Sequence, residues 1–133
     1  MRRVFALALP IVLTACVAAA NGSGSALAGS EWRLLAIDGE STVRSESARL
    51  SFERTQLAAS VGCNRLGGQY RIERDRLIAG PLTQTEMFCE GPVWAQEQAL
   101  SALLVGAPEM RLADRRLTLV SRGHRAEFAR LSG

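Results

Sequence analysis

The sequence predicts a mainly β domain with one α-helix (an α+β fold). We expect a strongly curved antiparallel sheet or a small barrel of seven or eight strands, with the single helix packed against it. The length of 133 residues leaves room for one domain. From residue 31 onward most apolar residues alternate with polar ones, which is the period of half-buried strands. Residues 92–106 instead have helical spacing, and a helix over one opening of a curved sheet would protect its edges.

Residues 1–15 have the composition of a secretory signal peptide. Arg2 and Arg3 precede an uncharged apolar run at residues 4–15. Two positive charges followed by a run that is too short to span a bilayer are typical of a signal that is removed on export. The sequence therefore predicts an exported protein.

The end of this signal predicts a lipid anchor. Residues 13–16 read LTAC, which resembles the bacterial lipobox, where the signal is cut just before a cysteine that becomes acylated. We expect Cys16 to be the lipidated first residue of the mature protein, because several acyl chains on one residue make a stable anchor. Similar lipoproteins without aspartate after the cysteine usually reach the outer membrane, and Val17 occupies that position.

The predicted location is thus the cell envelope, as an outer-membrane lipoprotein that faces the periplasm. The alternative is cleavage by the ordinary signal peptidase at residues 18–20 (AAA) or 26–28 (ALA), which would give a soluble periplasmic or secreted protein. In either case residues 16–30 are small and have no apolar period. They are predicted to form a flexible linker, lipid-anchored at Cys16, before one domain at residues 31–131.

The charge of the mature chain is nearly balanced. All basic residues are arginine, and loss of Arg2 and Arg3 with the signal would lower the formal net charge from +3 by two, to about +1. The other arginines are spread along the chain with acids between them, which is typical of a solvated mixed surface. No nucleic-acid partner is therefore expected.

The first strands are predicted at residues 32–37, 49–53 and 57–63, where apolar residues alternate. Asp38-Gly39 supplies a turn after the first strand. The residues predicted to face the interior are Trp32, Leu34, Ala36, Leu50, Phe52, Leu57, Ala59, Val61 and Cys63.

A turn is predicted at residues 64–68, because asparagine and two glycines interrupt the alternation there. Alternation resumes at residues 70–72, and the next strand is expected to end at Gly80-Pro81. Three short strands follow after residue 108. Their predicted inward residues are Leu112, Leu117, Leu119 and Phe128.

The helix is predicted between Pro92, which suits a first helical turn, and Gly106, which suits a helix end. Apolar residues recur within it at spacings of three and four. The predicted buried stripe consists of Val93, Glu97, Leu100 and Leu104, broadened by Trp94 and Leu103.

Taken together, these residues resemble the META domain family, also called HslJ-like. The matching blocks are Trp32-x-Leu34, Leu50-x-Phe52, Gly62-Cys63-Asn64-Arg65-x-x-Gly68-x-Tyr70, Thr85-x-Met87-x-Cys89, Leu117-x-Leu119 and Phe128-x-Arg130. The resemblance covers about 100 residues. It implies a β-rich domain of bacterial envelope and secreted proteins, often lipoproteins, linked to heat-shock response, drug resistance and motility. No enzymatic activity is generally assigned to the family. One departure is Phe88, where similar proteins often carry a small residue.

Neither catalysis nor metal binding is predicted. Cys63 as a nucleophile would need a base, and the single histidine, His124, lies in a predicted hairpin turn. An inward cysteine among apolar neighbours is of the unreactive kind. Cys63, Cys89 and His124 also lack the close pairs that zinc sites use. We therefore expect no catalytic residue, no metal and no cofactor.

A disulfide between Cys63 and Cys89 fits the cysteine count best. Once Cys16 is acylated, these two thiols remain in an oxidising compartment. The loop-entropy model gives such a bridge a stabilising effect of about 3 kcal/mol. The alternative is a pair of buried, reduced cysteines that pack near each other.

The functional prediction is a non-enzymatic cell-envelope lipoprotein module that serves envelope or heat stress response or drug tolerance by binding or protection. Asn64 and Arg65 are a candidate contact surface, although Asn64 could instead be there to tolerate a left-handed turn. The expected partners are the membrane, through the anchor, and an envelope protein or small ligand. The alternative function is a periplasmic inhibitor or chaperone-like partner of a hydrolase.

Overall fold

The computed structural model describes residues 26–132. The predicted signal at 1–15, the lipidation site Cys16 and most of the predicted linker lie outside the described residues. Among the described residues, no helix is long and apolar enough to cross a membrane. The strands are β1 (Ser30–Ile37), β2 (Glu40–Ser41), β3 (Arg49–Phe52), β4 (Gln56–Ser60), β5 (Arg65–Glu73), β6 (Arg76–Gln84), β7 (Glu109–Ala113), β8 (Arg116–Ser121) and β9 (His124–Ser132), and the helix α1 (Pro92–Val105) lies between β6 and β7.

Eight of these strands close into an antiparallel barrel. Consecutive strands pair from β3 to β9, and β1 pairs with both β3 and β9, which closes the sheet. The two-residue strand β2 is an extra strand on the end of β1. The predicted fold class is therefore confirmed. Closure gives each barrel strand a neighbour on both sides, although β6 and β7 pair with each other at one residue pair only.

The seam between β6 and β7 is the shortest pairing of the barrel. It consists of one residue pair, Arg76 and Glu109, supported by a bond from Leu77 N to Pro108 O of 3.0 Å. Helix α1 packs against β6, β8, β9 and β1. Its apolar residues join the same core as the barrel residues, so the helix contributes to closing this part of the molecule.

The core is filled by large side chains from both halves of the chain. The largest fully buried ones are Trp32, Phe52, Phe128, Leu27, Leu34, Leu50, Leu66, Leu77, Leu100, Leu103, Leu104 and Leu117. The indole Nε1 of Trp32 donates to Ser30 Oγ at 2.8 Å, which satisfies the polar atom of a buried aromatic residue.

The domain begins earlier than the sequence predicted. Leu27 is fully buried, and the Ser30 hydroxyl donates to its carbonyl. Gly29 N donates to Phe52 O at 2.7 Å, and Ser30 is the first residue of β1. Residues 27–30 therefore belong to the domain and not to the linker. Cleavage by the ordinary signal peptidase at residues 26–28 would therefore remove Leu27 from the core or leave it at a free chain end.

Three side chains predicted to face inward do not. A bulge between Leu34 and Ala36 in the pairing with β9 shifts the alternation of β1, so Ile37 is buried instead of Ala36. In β7 the buried residue is Met110, and Leu112 is exposed. The buried face of the helix also differs from the prediction, because Trp94 is exposed while Gln96 and Ala99 are buried.

The predicted turn at residues 64–68 was wrong, because β5 already begins at Arg65. Gly68 is there for a different reason. A Cβ on this residue would lie 2.5 Å from Pro81 O, so glycine allows β6 to approach closely at the bulge in the β5–β6 pairing. The strand containing Gly80 and Pro81 also continues to Gln84 instead of ending there.

Candidate functional site

A disulfide joins the end of β4 to the segment that leads into α1. Cys63 follows β4, Cys89 precedes α1, and their Cα atoms are 6.3 Å apart. Cys63 is half-buried and Cys89 is almost fully buried. The structure thus agrees with the predicted pairing. The bridge fastens residues 85–91, which we call the anchored segment and which has no strand or helix, to the barrel.

Asn64 holds the same segment by hydrogen bonds. Its Oδ1 accepts from Met87 N at 2.7 Å and from the Thr85 hydroxyl at 2.9 Å. Its Nδ2 donates to Met87 O at 3.0 Å. One side chain therefore pairs with both backbone groups of Met87, as a neighbouring strand would.

Both predictions for Asn64 were wrong. The residue is 1% exposed, so it cannot be a contact surface, and its φ is not in the left-handed region. Arg65 is exposed as expected. Its backbone continues the attachment, since Arg65 N donates to the Thr85 hydroxyl at 3.0 Å and Thr85 N donates to Arg65 O at 3.1 Å.

Glu97 is a fully buried carboxyl group beside the disulfide. Gln84 Nε2 donates to its Oε1 at 2.8 Å, and Asn64 Nδ2 lies 3.4 Å from its Oε2. The sulfurs of Cys63 and Cys89 and a carboxylate oxygen of Glu97 all lie within 4.8 Å of one another. We call these three residues with Asn64 the cysteine cluster. In the part of the chain that is described, no arginine or histidine forms an ion pair with Glu97.

The anchored segment and the first turn of α1 present an apolar surface to solvent. It consists of Met87, Phe88 and Trp94, which are 55%, 87% and 44% exposed. Two open grooves of about 490 and 500 Å³ border these side chains. The acidic residues Glu86 and Glu90 flank the surface and are exposed. Contiguous apolar side chains that remain exposed and are flanked by polar residues are typical of an interaction site.

A polar groove of about 390 Å³ lies on the other side of the disulfide. It is lined by Cys63, Gly62, Arg49 and Arg65 with neighbouring serines. The disulfide is therefore bordered by an apolar groove next to Cys89 and by a polar groove next to Cys63. A larger open depression of about 610 Å³ at the β5–β6 hairpin is lined by exposed charged residues and Ile78. No buried polar side chain lines that depression.

His124 lies on the hairpin turn that the sequence predicted, and it pairs with Asp38. Arg122 and Gly123 have positive φ values of 50° and 76°, as in the tight turns that suit hairpins. His124 Nδ1 lies 2.7 Å from Asp38 Oδ2, and Arg125 N donates to Asp38 Oδ1 at 2.9 Å. Burial opposes ionisation of Asp38, but the hydrogen bonds from His124 and Arg125 outweigh it and lower the pKa of that carboxyl.

The structure does not bring His124 to the cysteines. Within residues 26–132, the metal-ligating side chain grouped with the two sulfurs is Glu97 and not His124. The Cys63 sulfur is also bound in the disulfide. Sequence reasoning missed Glu97 as a polar centre because it occupied a position of the helical stripe. A carboxylate inside an apolar stripe was the available signal.

A family model described as META domain matches residues 25–133. One NMR structure of a protein is similar, with 21% identity and a TM-score of 0.71 over 80% of this chain and 93% of that chain. An NMR structure of a protein from Burkholderia xenovorans has 21% identity and a TM-score of 0.64, over 94% and 100% of the two chains.

A crystal structure of a DUF4847 family protein from Bacteroides vulgatus has 12% identity and a TM-score of 0.59 over 81% of this chain and 96% of that chain. At these identities the likeness concerns the fold alone. No curated protein matches the sequence.

Proposed function

The chain belongs to the META domain family, and from that membership we propose a non-enzymatic module of the cell envelope that acts by binding another protein. In this proposal a lipid on Cys16 holds the protein on the outer membrane, facing the periplasm, and the binding serves envelope or heat stress response or drug tolerance. The apolar surface of Met87, Phe88 and Trp94 carries the proposal.

The fixed position of this surface supports binding over incidental exposure. Phe88 lies between Met87, whose backbone is held by Asn64, and Cys89, which is held by the disulfide. The anchored segment is therefore already ordered before a partner binds. This lowers the entropic cost of association. An exposed aromatic side chain presented in this way is typical of an interface anchor.

The chemistry of the surface defines the partner. Three large apolar side chains fit a protein with an apolar pocket, because such anchors dominate protein interfaces. The exposed carboxylates of Glu86 and Glu90 on either side favour a basic rim around that pocket. We therefore propose an envelope protein with an apolar pocket and a positively charged border as the binding partner.

Site-specific photo-crosslinking in intact cells tests this binding surface. A photoreactive phenylalanine analogue is placed at position 88, and a matched control carries it at Leu112, an exposed apolar residue on β7. We expect a discrete crosslinked species from position 88 that is absent from position 112 and increases after heat or antibiotic stress. Identical products from both positions, or none from position 88, would refute the proposed surface.

The membrane anchor has its own test. The intact mass of protein extracted from the outer membrane should correspond to a chain that starts at Cys16 and carries acyl groups. A soluble product that starts at Asn21 or later would exclude the anchor and favour the soluble periplasmic or secreted alternative.

A second candidate is an inhibitor of a periplasmic protease. Residues 85–91 form an exposed segment without regular structure, fixed near Phe88 by the disulfide and by Asn64. Such a segment could occupy a protease cleft as a substrate would, while its attachments oppose release. We expect inhibition of proteases that prefer large apolar residues, and Phe88→Arg should transfer inhibition to arginine-specific proteases. Rapid cleavage next to Phe88 without inhibition would reject this candidate.

A further inference from the structure

We propose that the reduced, dithiol form of this protein binds a divalent transition-metal ion, with zinc as the reference case, through Cys63, Cys89 and Glu97. The three residues come from separate parts of the chain, since one follows β4, one precedes α1 and one lies within α1. The fold nevertheless brings their ligand atoms within 4.8 Å of one another. Two thiolates and a carboxylate are a ligand set that suits zinc and similar ions.

The buried position of Glu97 is the observation that points to a cation. Its side chain is 0% exposed, and within residues 26–132 no arginine or histidine pairs with it. Burial of a carboxylate without an opposite charge is unfavourable. A metal ion would supply the missing positive charge at the point where the two sulfurs also lie.

Gln84 and Asn64 orient Glu97, as the hydrogen-bond partners of metal ligands do in known sites. Gln84 donates to one carboxylate oxygen at 2.8 Å, and the Asn64 amide lies 3.4 Å from the other. The same Asn64 nitrogen lies 3.4 Å from the Cys89 sulfur, where it can donate to a thiolate. Hydrogen bonds of this kind fix ligand geometry and raise metal affinity by about 10- to 100-fold in known sites.

The spacing of the backbone suits both states of the cysteines. Zinc–sulfur bonds of about 2.3 Å in a tetrahedral site require the sulfurs to be about 3.8 Å apart. The Cα atoms of Cys63 and Cys89 are 6.3 Å apart, so the change from bridge to metal site requires rotation of the side chains and no movement of the strands. Three protein ligands leave a fourth position for water or for a group from a partner.

The oxidation state decides whether the metal binds. A thiol reductant attacks one sulfur, the S–S bond breaks, and a second reductant thiol resolves the mixed disulfide. The products are two cysteine thiols and one disulfide of the reductant. A divalent ion then replaces two thiol protons, which leave to solvent. The grooves on both sides of the bridge, next to Cys63 and next to Cys89, give the reductant access.

Cobalt binding to the lipidated protein tests the site, because acylated Cys16 offers no thiolate. The protein is reduced, freed of reductant without oxygen and titrated with Co²⁺. We expect thiolate-to-cobalt charge-transfer absorption and tetrahedral d–d bands at one ion per chain, displaced by Zn²⁺. The oxidised protein should show neither.

Four variants show which side chains bind the metal. Glu97→Gln should weaken zinc affinity by about tenfold or more, while the matched exposed control Glu86→Gln and His124→Ala should leave it unchanged. If Glu97→Gln fails to fold, Cys63→Ser, measured beside it, should reduce the charge-transfer band. The proposal is overturned if the reduced wild-type protein lacks the cobalt bands, or if folded Glu97→Gln binds zinc as tightly as wild type.

Discussion

Two groups of polar side chains in this protein use the same kinds of hydrogen bond but differ in their exposure to water. In the cysteine cluster, Asn64 and Glu97 are almost completely buried. In the pair formed by Asp38 and His124, the side chains are 40% and 32% exposed. A buried polar group that loses its partner keeps the full desolvation penalty, whereas water can replace a partner at an exposed pair.

The two groups also hold different parts of the molecule. The Asp38–His124 pair joins two turns whose strands, β1 and β9, are already paired along the barrel. The cysteine cluster holds the anchored segment at residues 85–91, which has no strand pairing of its own. The buried cluster therefore determines the position of the apolar surface, while the exposed pair adds to contacts that exist without it.

The largest effect is expected for Asn64→Ala. The substitution leaves the backbone N–H and C=O of Met87 without their side-chain partner and removes a donor near Glu97. We expect a loss of about 3–5 kcal/mol in the free energy of unfolding, from several unsatisfied groups at once. Urea denaturation measures the loss, and the exposed Gln69→Ala on β5 is the control. A loss below about 1 kcal/mol would contradict the central role of Asn64.

Removal of the disulfide is expected to have the next largest effect. Cys63→Ser and Cys89→Ser should each lower the free energy of unfolding by about 3 kcal/mol through the greater freedom of the unfolded chain. Thiol labelling of denatured, unreduced protein from the periplasm should find neither cysteine free. Full labelling of both would mean that the protein is exported with reduced thiols, and the two serine variants would then differ little from wild type.

These two losses should not be independent. Asn64 and the disulfide hold the same segment, so removing one frees the groups that the other attaches. We expect Asn64→Ala combined with Cys89→Ser to cost less than the sum of the single changes, by about 0.5–3 kcal/mol. Additive losses would show that residues 85–91 are held at separate points that do not cooperate.

Of the polar groups in these two regions, the exposed pair of Asp38 and His124 should contribute least to the free energy of unfolding. The pKa of Asp38 is lower in the folded protein than its ordinary value of 3.8. Ionised Asp38 therefore stabilises the fold fully above this ordinary value, and the contribution is lost as the pH falls through the lower folded pKa. Asp38→Asn should cost less than about 1 kcal/mol at neutral pH.

The pH dependence is the sharper test of this pair. The difference in unfolding free energy between wild type and Asp38→Asn should shrink as the pH is lowered below 3.8. A difference that grows as the pH falls below 3.8 would mean that the carboxyl of Asp38 is stabilised in its protonated form, opposite to the hydrogen bonds from His124 and Arg125.

The two regions also differ in how far the sequence could predict them. The hairpin turn at His124 was predictable, because Gly123 and the alternation on both sides of it are local signals in the sequence. The buried residues Leu117, Leu119 and Phe128 followed from the same alternation. Closure of the barrel by β1 and β9 joins the two ends of the domain, and such pairing leaves no trace in local periodicity.

The cysteine cluster was predictable only in part. The cysteine count indicated the bridge, but Gly67 and Gly68 together imitated a turn, whereas Gly68 is required by close packing against β6. Because a turn was predicted at residues 64–68, Asn64 was not expected in the core. Its hydrogen bonds to Met87, which lies 23 residues away in sequence, were therefore not predicted. Glu97 was placed correctly on the buried face of α1, yet its role depends on neighbours from other elements, which helical spacing does not indicate.

The smallest effect on stability is expected at the most exposed apolar residue. Phe88→Ser should change the free energy of unfolding by less than about 0.5 kcal/mol, because a side chain that is 87% exposed buries little area on folding. The same change at the buried Phe52 should cost several kcal/mol, roughly 3 or more. The roles of the two would then differ: the cysteine cluster would hold the apolar surface in place, and Phe88 would contact the partner.

Binding is where Phe88→Ser should show its effect. In the full-length protein, with a photoreactive group at Trp94 as the reporter, Phe88→Ser should abolish the crosslink to the envelope partner while the melting temperature stays unchanged. The neighbouring Glu90→Ser, which removes a flanking charge but keeps the apolar surface, should weaken the crosslink only in part. If Phe88→Ser instead destabilised the fold by more than about 1 kcal/mol, Phe88 would pack on the domain in solution. The apolar surface would then be part of the core and not a site for a partner.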